Sequence, residues 1–174
     1  MIKLRNKKIQ KPNDLIKIRQ ALKRAGKKVV FTNGCFDLLH AGHISLFRRA
    51  KKLGDVLIVA LNADASVRKV KGPSRPIFPL KERLEILEAI EVIDYLTWFS
   101  EETPQKIIAA LLPDFLVKGG DWKPKQVVGK KEVEAAGGRV VIIPYFKGHS
   151  SSAIIRKVLK KTHFSPLEIR KMSF

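Results

Sequence analysis

"KKVVFTNGCFDLLHAGHISLFRRA", residues 27–50, decides the architecture of this chain. Its first part, Val29 to Thr32, is a short apolar and β-branched run without polar alternation, closed by Asn33-Gly34. That is the pattern of a strand buried on both faces. Its last part places Ile44, Phe47 and Ala50 at helical spacing, so a helix is expected over 43–53. Between the two stand His40 and His43, three residues apart around Gly42. They are two of the four histidines in the chain.

The same alternation runs to the end. "DVLIVALN" (55–62), "IDYLTWF" (93–99), "DFLVKGG" (114–120) and "RVVIIPY" (139–145) read as further strands. "PLKERLEILEAI" (79–90) is a helix opened by Pro79, with Leu80, Leu84, Leu87 and Ile90 along one face. "TPQKIIAALL" (103–112) is a helix with Thr103 as N-cap and Pro104 in its first position. "KEVEAAGG" (131–138) is a helix stopped by glycine, and "SSSAIIRKVLKK" (150–161) a last helix behind a serine cap. Segment 13–26 adds a helix before the sheet, with Leu15, Ile18, Leu22 and Ala25 on one side. Strands rich in Val and Ile that alternate with helices imply a parallel sheet covered on both faces. The expected fold class is therefore α/β, a Rossmann-like doubly wound sandwich with about five parallel strands. An extra N-terminal helix and a basic C-terminal tail complete it. The organisation expected is a basic arm and helix over 1–27, a catalytic domain over 28–160 and a tail over 161–174. Sheets of this kind bind ligands at the carboxyl ends of their strands.

The 174 residues suffice for one domain with a true core, and 45% hydrophobic residues exclude a mainly disordered chain. Runs such as "VLIVAL" are too short to span a bilayer. No signal peptide is visible, and Cys35, the only cysteine, allows no internal disulfide. A cytoplasmic protein is expected. The net charge of +19 points toward nucleic acid until its distribution is considered. Residues 1–28 hold 11 Lys/Arg against Asp14 alone, and 156–174 hold 6 against one acid. Residues 29–155 are nearly balanced, at 18 against 14. Solvated ends explain the excess, with an acidic partner for the arm as the competing explanation. Neither a Gly-x-Gly-x-x-Gly after the first strand nor a Walker A motif occurs, so the two commonest phosphate loops are absent.

The first strand delivers "TNGCFDLLHAGH" to the ligand edge. Gly42 lies near the start of the following helix, so His40 and His43 fall about one turn apart and can point the same way. A helix N-terminus offers unsatisfied N–H groups and partial positive charge, which suit a phosphate and disfavour protonating an imidazole. Neutral rings still donate one hydrogen bond each. That arrangement suits nucleotidyl transfer, where negative charge grows around the α-phosphorus and on departing pyrophosphate. Alternatives are half of a metal site or ordinary capping and packing. For a metal, only His149 and His163 remain as further imidazoles and no cysteine pair exists, so no metal ligands are assigned.

Here a resemblance becomes specific. "HAGH" (40–43) resembles the His-x-Gly-His signature of the cytidylyltransferase-like nucleotidyltransferases. "HSSSAIIRK" (149–157) resembles their second signature, Ile-Ser-Ser/Thr-Thr-x-x-x-Lys/Arg, with His149 and Ser152 as departures. Within that superfamily, "LNADASVRKVKG", "RPIFPLKERLEIL", "TPQKIIAALLPDFLVKGGD" and "VVGKKEVEAAGG" are similar to the ADP-heptose synthases, the heptose 1-phosphate adenylyltransferases. The likeness covers about residues 26 to 158. Many of these enzymes are fused to a sugar kinase for which this chain has no room, so the stand-alone form is expected. The resemblance implies a homodimer and a loop "VKGGD" (117–121) lying against base and ribose, with Asp121 as a contact. Gly34, Cys35, Phe36, Gly42 and Gly119 are expected around the nucleotide.

Other residues carry two readings each. Lys71, in the Gly/Pro-rich loop "VKGPSRP", either moves onto a phosphate as a catalytic cation or is a surface lysine, and Arg75 in the same loop follows the same logic. Arg83 either bridges phosphate oxygens bidentately or pairs with a neighbouring Glu on its helix. Asn62 bonds phosphate or loop backbone, and Asp64 caps the short helix after it. Asp37 binds substrate hydroxyls or a Mg²⁺ water, or braces its loop. Trp122 stacks on a ring or covers the sheet edge. Ser150, Ser151 and Ser152 cap the last helix and can hold the β/γ-phosphates, with Arg156 in support.

The leading expectation is transfer of AMP from ATP to a heptose 1-phosphate, with Mg²⁺ bridging ATP oxygens and no membrane or nucleic-acid partner. Glycerol-3-phosphate cytidylyltransferase and FMN adenylyltransferase share the chemistry, and residue physics does not separate ATP from CTP. A basic nucleic-acid-binding module is the alternative of another class. It gives no role to "HAGH" and "SSSAIIR" together.

Overall fold

The computed structural model describes residues 8–120, 126–144 and 151–161. The elements run α1 (Pro12–Arg24), β1 (Val29–Gly34), α2 (Ala41–Lys51), β2 (Val56–Asn62), α3 (Asp64–Lys71), α4 (Leu80–Glu88), β3 (Tyr95–Phe99), α5 (Gln105–Leu111), β4 (Phe115–Gly119), α6 (Lys130–Ala135), β5 (Arg139–Ile143) and α7 (Ser151–Lys161). The five strands form one sheet in the order β3-β2-β1-β4-β5, every pair parallel. This is the expected doubly wound sandwich.

Alternate residues of each strand feed opposite faces, which is why the strands read as unbroken apolar runs. Val30, Leu57, Val59 and Leu61 join Phe47 and Ala50 of α2 and Leu84 and Leu87 of α4 in one core cluster. Val29, Phe31, Ile58 and Ala60 join Leu15 of α1, Ile107, Ile108 and Leu111 of α5 and Val133 of α6 in the other. Ile9 bridges Leu96 in parallel, so the segment before α1 covers the open edge of β3.

Four details differ from the sequence reading. The buried face of α1 runs through Leu15 and Arg19, while Ala25 is exposed. Arg19 belongs there because its guanidinium caps α5, donating to the carbonyls of Leu111 and Leu112 and to Asp114. Helix α5 begins one residue later than expected: Pro104, not Thr103, is its N-cap, with no side-chain cap. Pro79 likewise precedes α4 as its N-cap residue instead of opening it. Lys71 is the last residue of α3, not part of the loop beyond it; the helix ends at Gly72, whose φ of 97° lets the chain turn away. No helix among the described residues is long and apolar enough to cross a membrane.

The order of the strands fixes where a ligand goes. From β1 the chain winds outward through β2 to β3, then returns to lay β4 on the other side of β1. The winding reverses between β1 and β4, and a crevice opens outside their carboxyl ends.

Candidate active site

Strand β1 ends in that crevice at Asn33-Gly34. The chain then passes through Phe36, whose φ of 44° is left-handed, a conformation that costs a non-glycine residue about 1–3 kcal/mol. The turn folds the Phe36 ring back over Gly34, where a Cβ would stand 3.0 Å from the ring. The same ring meets His43 edge-on, with centroids 5.3 Å apart and planes at 79°, and packs on Phe47 at 5.1 Å. His40 is the extended N-cap residue of α2, and its carbonyl accepts the His43 N–H at 2.9 Å. The two imidazoles stack, centroids 3.7 Å apart and planes within 23°.

Burial decides the charge of His43. Burial first, and the neighbouring His40 second, push His43 down to about 4. At neutral pH that ring is uncharged, and its buried Nδ1 finds no hydrogen-bond partner among the described residues. Both rings open into a cleft of ≈ 530 Å³, within the span of about 300–1,000 Å³ usual for small-molecule sites.

The structure brings most of the expected site residues to this cleft. Gly34, Cys35, Phe36 and Asp37 line it from the end of β1, and Gly42 from the first turn of α2. Lys71 and Arg75 come from the β2 side, Gly119 from the end of β4, and Ser151 from the start of α7. Asn62 also reaches the wall, but its amide donates to Ser66 Oγ at 2.9 Å and the residue is buried, so it stiffens the β2–α3 corner. The Ser151 hydroxyl donates to the Leu38 carbonyl at 3.1 Å, tying α7 to the loop that carries the histidines. The Cys35 thiol is pushed up by burial, against the pull of Lys71 and Arg83, and stays protonated at neutral pH.

Asp37 takes the bracing role. Only 2% exposed, it accepts from Arg75 Nε at 2.6 Å and from the backbone N–H groups of Ile77 and Phe78. Burial alone would raise its carboxyl; the Phe78 and Ile77 amides and Arg75 outweigh that and hold it below the ordinary carboxylate range. It anchors the loop between α3 and α4 beneath the cleft.

Arg83 stands elsewhere than expected. It is 1% exposed and does not line the cleft. Its guanidinium donates to the carbonyls of Phe78, Cys35 and Asn62 and pairs with Asp64 at 2.7 Å. Neither phosphate nor a helix neighbour is its partner: it pins together the ends of β1 and β2 and the start of α4. Asp64, the first residue of α3, accepts from Arg83 and from the Leu80 N–H and makes no cap bond to its own helix. Arg156 is exposed and away from the cleft wall. Asp121, Trp122, His149, Ser150 and His163 lie outside the described residues, as does the side chain of Ser152.

Sequence reasoning missed Lys118. It sits near the end of β4, 9% exposed, and its ammonium donates to the Asn33 side chain; both residues line the cleft. Burial pushes it down to about 8. The available signal was a lysine directly before the glycines that end an otherwise apolar strand.

Comparison with known proteins agrees with this geometry. The chain is 52% identical over 138 residues to the bifunctional protein HldE of Escherichia coli O1:K1 / APEC, and equally to that of Shigella boydii serotype 18. That stretch covers 79% of this chain and 29% of those proteins, so the chain spans less than a third of the relatives it matches. Among solved structures, a lipopolysaccharide core biosynthesis protein from Thermoplasma volcanium GSS1 superposes with a TM-score of 0.59 at 30% identity, over 71% of this chain and all of that one. A pantoate-beta-alanine ligase from Francisella tularensis, at 19% identity and a TM-score of 0.56, covers 93% of this chain and 82% of its own; it shares the fold. Residues 31–158, from inside β1 to the middle of α7, match the cytidylyltransferase-like family, and this chain belongs to that family.

Proposed function

We propose that the chain transfers AMP from ATP to the 1-phosphate of a heptose, releasing pyrophosphate and an ADP-sugar. The observation that carries this is the pair of stacked imidazoles, His43 uncharged, at the head of α2, open to the crevice between β1 and β4. The choice of ATP and heptose is supported by the resemblance to the ADP-heptose synthases and by a relative described as serving lipopolysaccharide core biosynthesis.

In such a transfer an oxygen of the sugar phosphate attacks the α-phosphorus. The bond to the bridging oxygen breaks, and its electron pair leaves with pyrophosphate. No covalent enzyme intermediate is needed. Charge grows on the oxygens around the phosphorus, where donors fixed in advance stabilise the transition state more than the ground state. His40 and His43 would each give one N–H there, beside the backbone N–H groups opening α2. Because His43 titrates only near pH 4, its donor set stays constant through neutral pH. Lys71, which makes no hydrogen bond or ion pair among the described residues, would hold the outer phosphates together with Ser151.

Mg²⁺ fits this cleft as a partner of the triphosphate. It retains several waters and needs one or two carboxylates beside phosphate oxygens. Asp37 is committed to its loop, so among the described residues Glu102 on the cleft wall would hold the ion. When bound, it would neutralise charge growing on the departing pyrophosphate.

The test is direct. Protein with ATP, Mg²⁺ and heptose 1-phosphate is expected to release pyrophosphate, and CTP to replace ATP poorly. Equal turnover with CTP and glycerol 3-phosphate would replace the proposed substrates, and no turnover with either pair would remove the reading.

A further inference from the structure

We propose that Ser66 is a positioning residue for the transfer reaction: its buried hydroxyl fixes the β3–α5 loop, and with it Glu102 and Thr103, against the helix that carries Lys71. The inference deepens the function proposed above and rests on it. Ser66 lies in the first turn of α3 and is 1% exposed. A serine hydroxyl inside a helix commonly bonds back to the carbonyl four residues earlier. Here that carbonyl, of Asn62, is taken by Arg83 at 2.9 Å. Ser66 Oγ instead accepts from the Asn62 side-chain amide at 2.9 Å and donates to the Glu101 carbonyl at 2.8 Å. Its single O–H is thus spent on a loop that follows another strand.

That loop has few other anchors. The Phe99 carbonyl accepts the Ala63 N–H at 2.9 Å, at the last residue of β3. Beyond it, among the described residues, no backbone hydrogen bond joins 100–103 to another element, and the Ser100 N–H turns onto the Glu101 side chain within the loop. The Glu101–Lys106 pair lies at the surface, its lysine 83% exposed, and such pairs contribute little. The residues after Glu101 face the reaction. Glu102, Thr103 and Pro104 line the cleft, as do Val70 and Lys71 at the far end of α3. One buried hydroxyl therefore sets the spacing between an anionic and a cationic group on the β2–β3 side of the cleft. Phosphoryl transfer is governed almost wholly by positioning and charge stabilisation, so that spacing matters to the rate.

Ser66→Ala and Ser66→Thr in the full chain test this. In the Ala variant, kcat/KM for pyrophosphate release from ATP, Mg²⁺ and heptose 1-phosphate is expected to fall about 10- to 100-fold, the cost of groups displaced by about 1 Å. Thr keeps the hydroxyl and is expected to recover most of the loss. Calorimetry gives a reading that a merely structural role would not move. ATP affinity in Mg²⁺ should fall about tenfold in the Ala variant, because the carboxylate that meets the ion has lost its support. ATP affinity in EDTA should stay at the wild-type value, because Lys71 has not been released. Gly54→Ala is the control for lost stability: its Cβ would stand 2.8 Å from the Lys28 carbonyl, ahead of β2 and at the opposite end of the sheet from the cleft. Ser66→Val, which differs from the Thr variant by the hydroxyl alone, repeats the comparison if the Ala variant does not fold. A kcat/KM within about threefold of wild type in the Ala variant, or equal values in the Val and Thr variants, overturns the proposal. So does a loss that Gly54→Ala reproduces at equal stability, or one that falls equally on ATP affinity with and without Mg²⁺. If wild-type protein turns over no sugar phosphate, the functional reading fails. Ser66 is then judged by ATP binding alone: a Mg²⁺-dependent loss of about tenfold in the Ala variant sustains it, and no change overturns it.

Discussion

Replacing Arg83 by methionine separates a structural guanidinium from a phosphate ligand. The side chain is wholly buried and bridges three carbonyls, Phe78, Cys35 and Asn62, to the Asp64 carboxylate. Methionine fills much of the same space and makes none of these bonds. Each hydrogen bond to a charged group contributes about 1.5–3 kcal/mol, and breaking a buried pair costs about 3–5 kcal/mol. Two effects pull the sum down. Asp64 is 31% exposed and recovers water, and the cost of burying the guanidinium disappears with it. A net loss of about 3 kcal/mol is the expected balance. For a chain of this length that corresponds to a fall in melting temperature of about 6–12 °C. The assay is urea unfolding followed by far-UV circular dichroism, in which the midpoint should fall with the slope unchanged. The Arg83→Lys variant keeps a charge but not the fork, and should recover only part of the loss. A Met variant with wild-type stability and abolished ATP binding would refute this reasoning and return Arg83 to the role of a phosphate contact.

Other outcomes follow from the same geometry. His43 titrates near 4 in the folded chain against 6.5 for the ordinary side chain, so below pH 6.5 the unfolded chain takes up a proton that the folded chain refuses. Its contribution is intact above pH 6.5 and is lost as pH falls toward 4, by up to about 3 kcal/mol; the urea midpoint should fall less between pH 7.5 and pH 5 for His43→Asn than for wild type. Gly129 has a φ of 84°, and a Cβ there would lie 2.5 Å from Ile108, so Gly129→Ala should cost about 2 kcal/mol or more in chemical denaturation without changing ATP affinity measured below the transition.

The fold was legible because the central strands are buried on both faces and so print continuous apolar runs, as β2 does from Leu57 to Leu61. The histidines were legible because their spacing is local: three residues at the head of one helix fix both rings. What was illegible depends on contacts distant in sequence. Nothing around Arg83 announces that it bonds the carbonyl of Cys35, 48 residues earlier, and its helical neighbours suggested an ordinary surface pair. Asp37 was undecided between substrate and loop because its partners, Arg75, Ile77 and Phe78, stand 38 to 41 residues away. Lys118 looked like a strand residue; only the pairing of β4 with β1 brings it to Asn33 and the crevice. Arg19 escaped for the same reason, as its acceptors end a helix 92 residues later.

The measurement that bears most directly on the chemistry is the single-turnover rate of His43→Ala on saturating ATP, Mg²⁺ and heptose 1-phosphate, with the ATP Kd determined on the same protein. Loss of a donor aimed at the transition state should slow the chemical step by about 10²–10³ and leave the Kd within a few-fold of wild type. A variant that turns over at the wild-type rate, or one that loses only ATP affinity, would mean that the stacked imidazoles do not act on the reacting phosphorus.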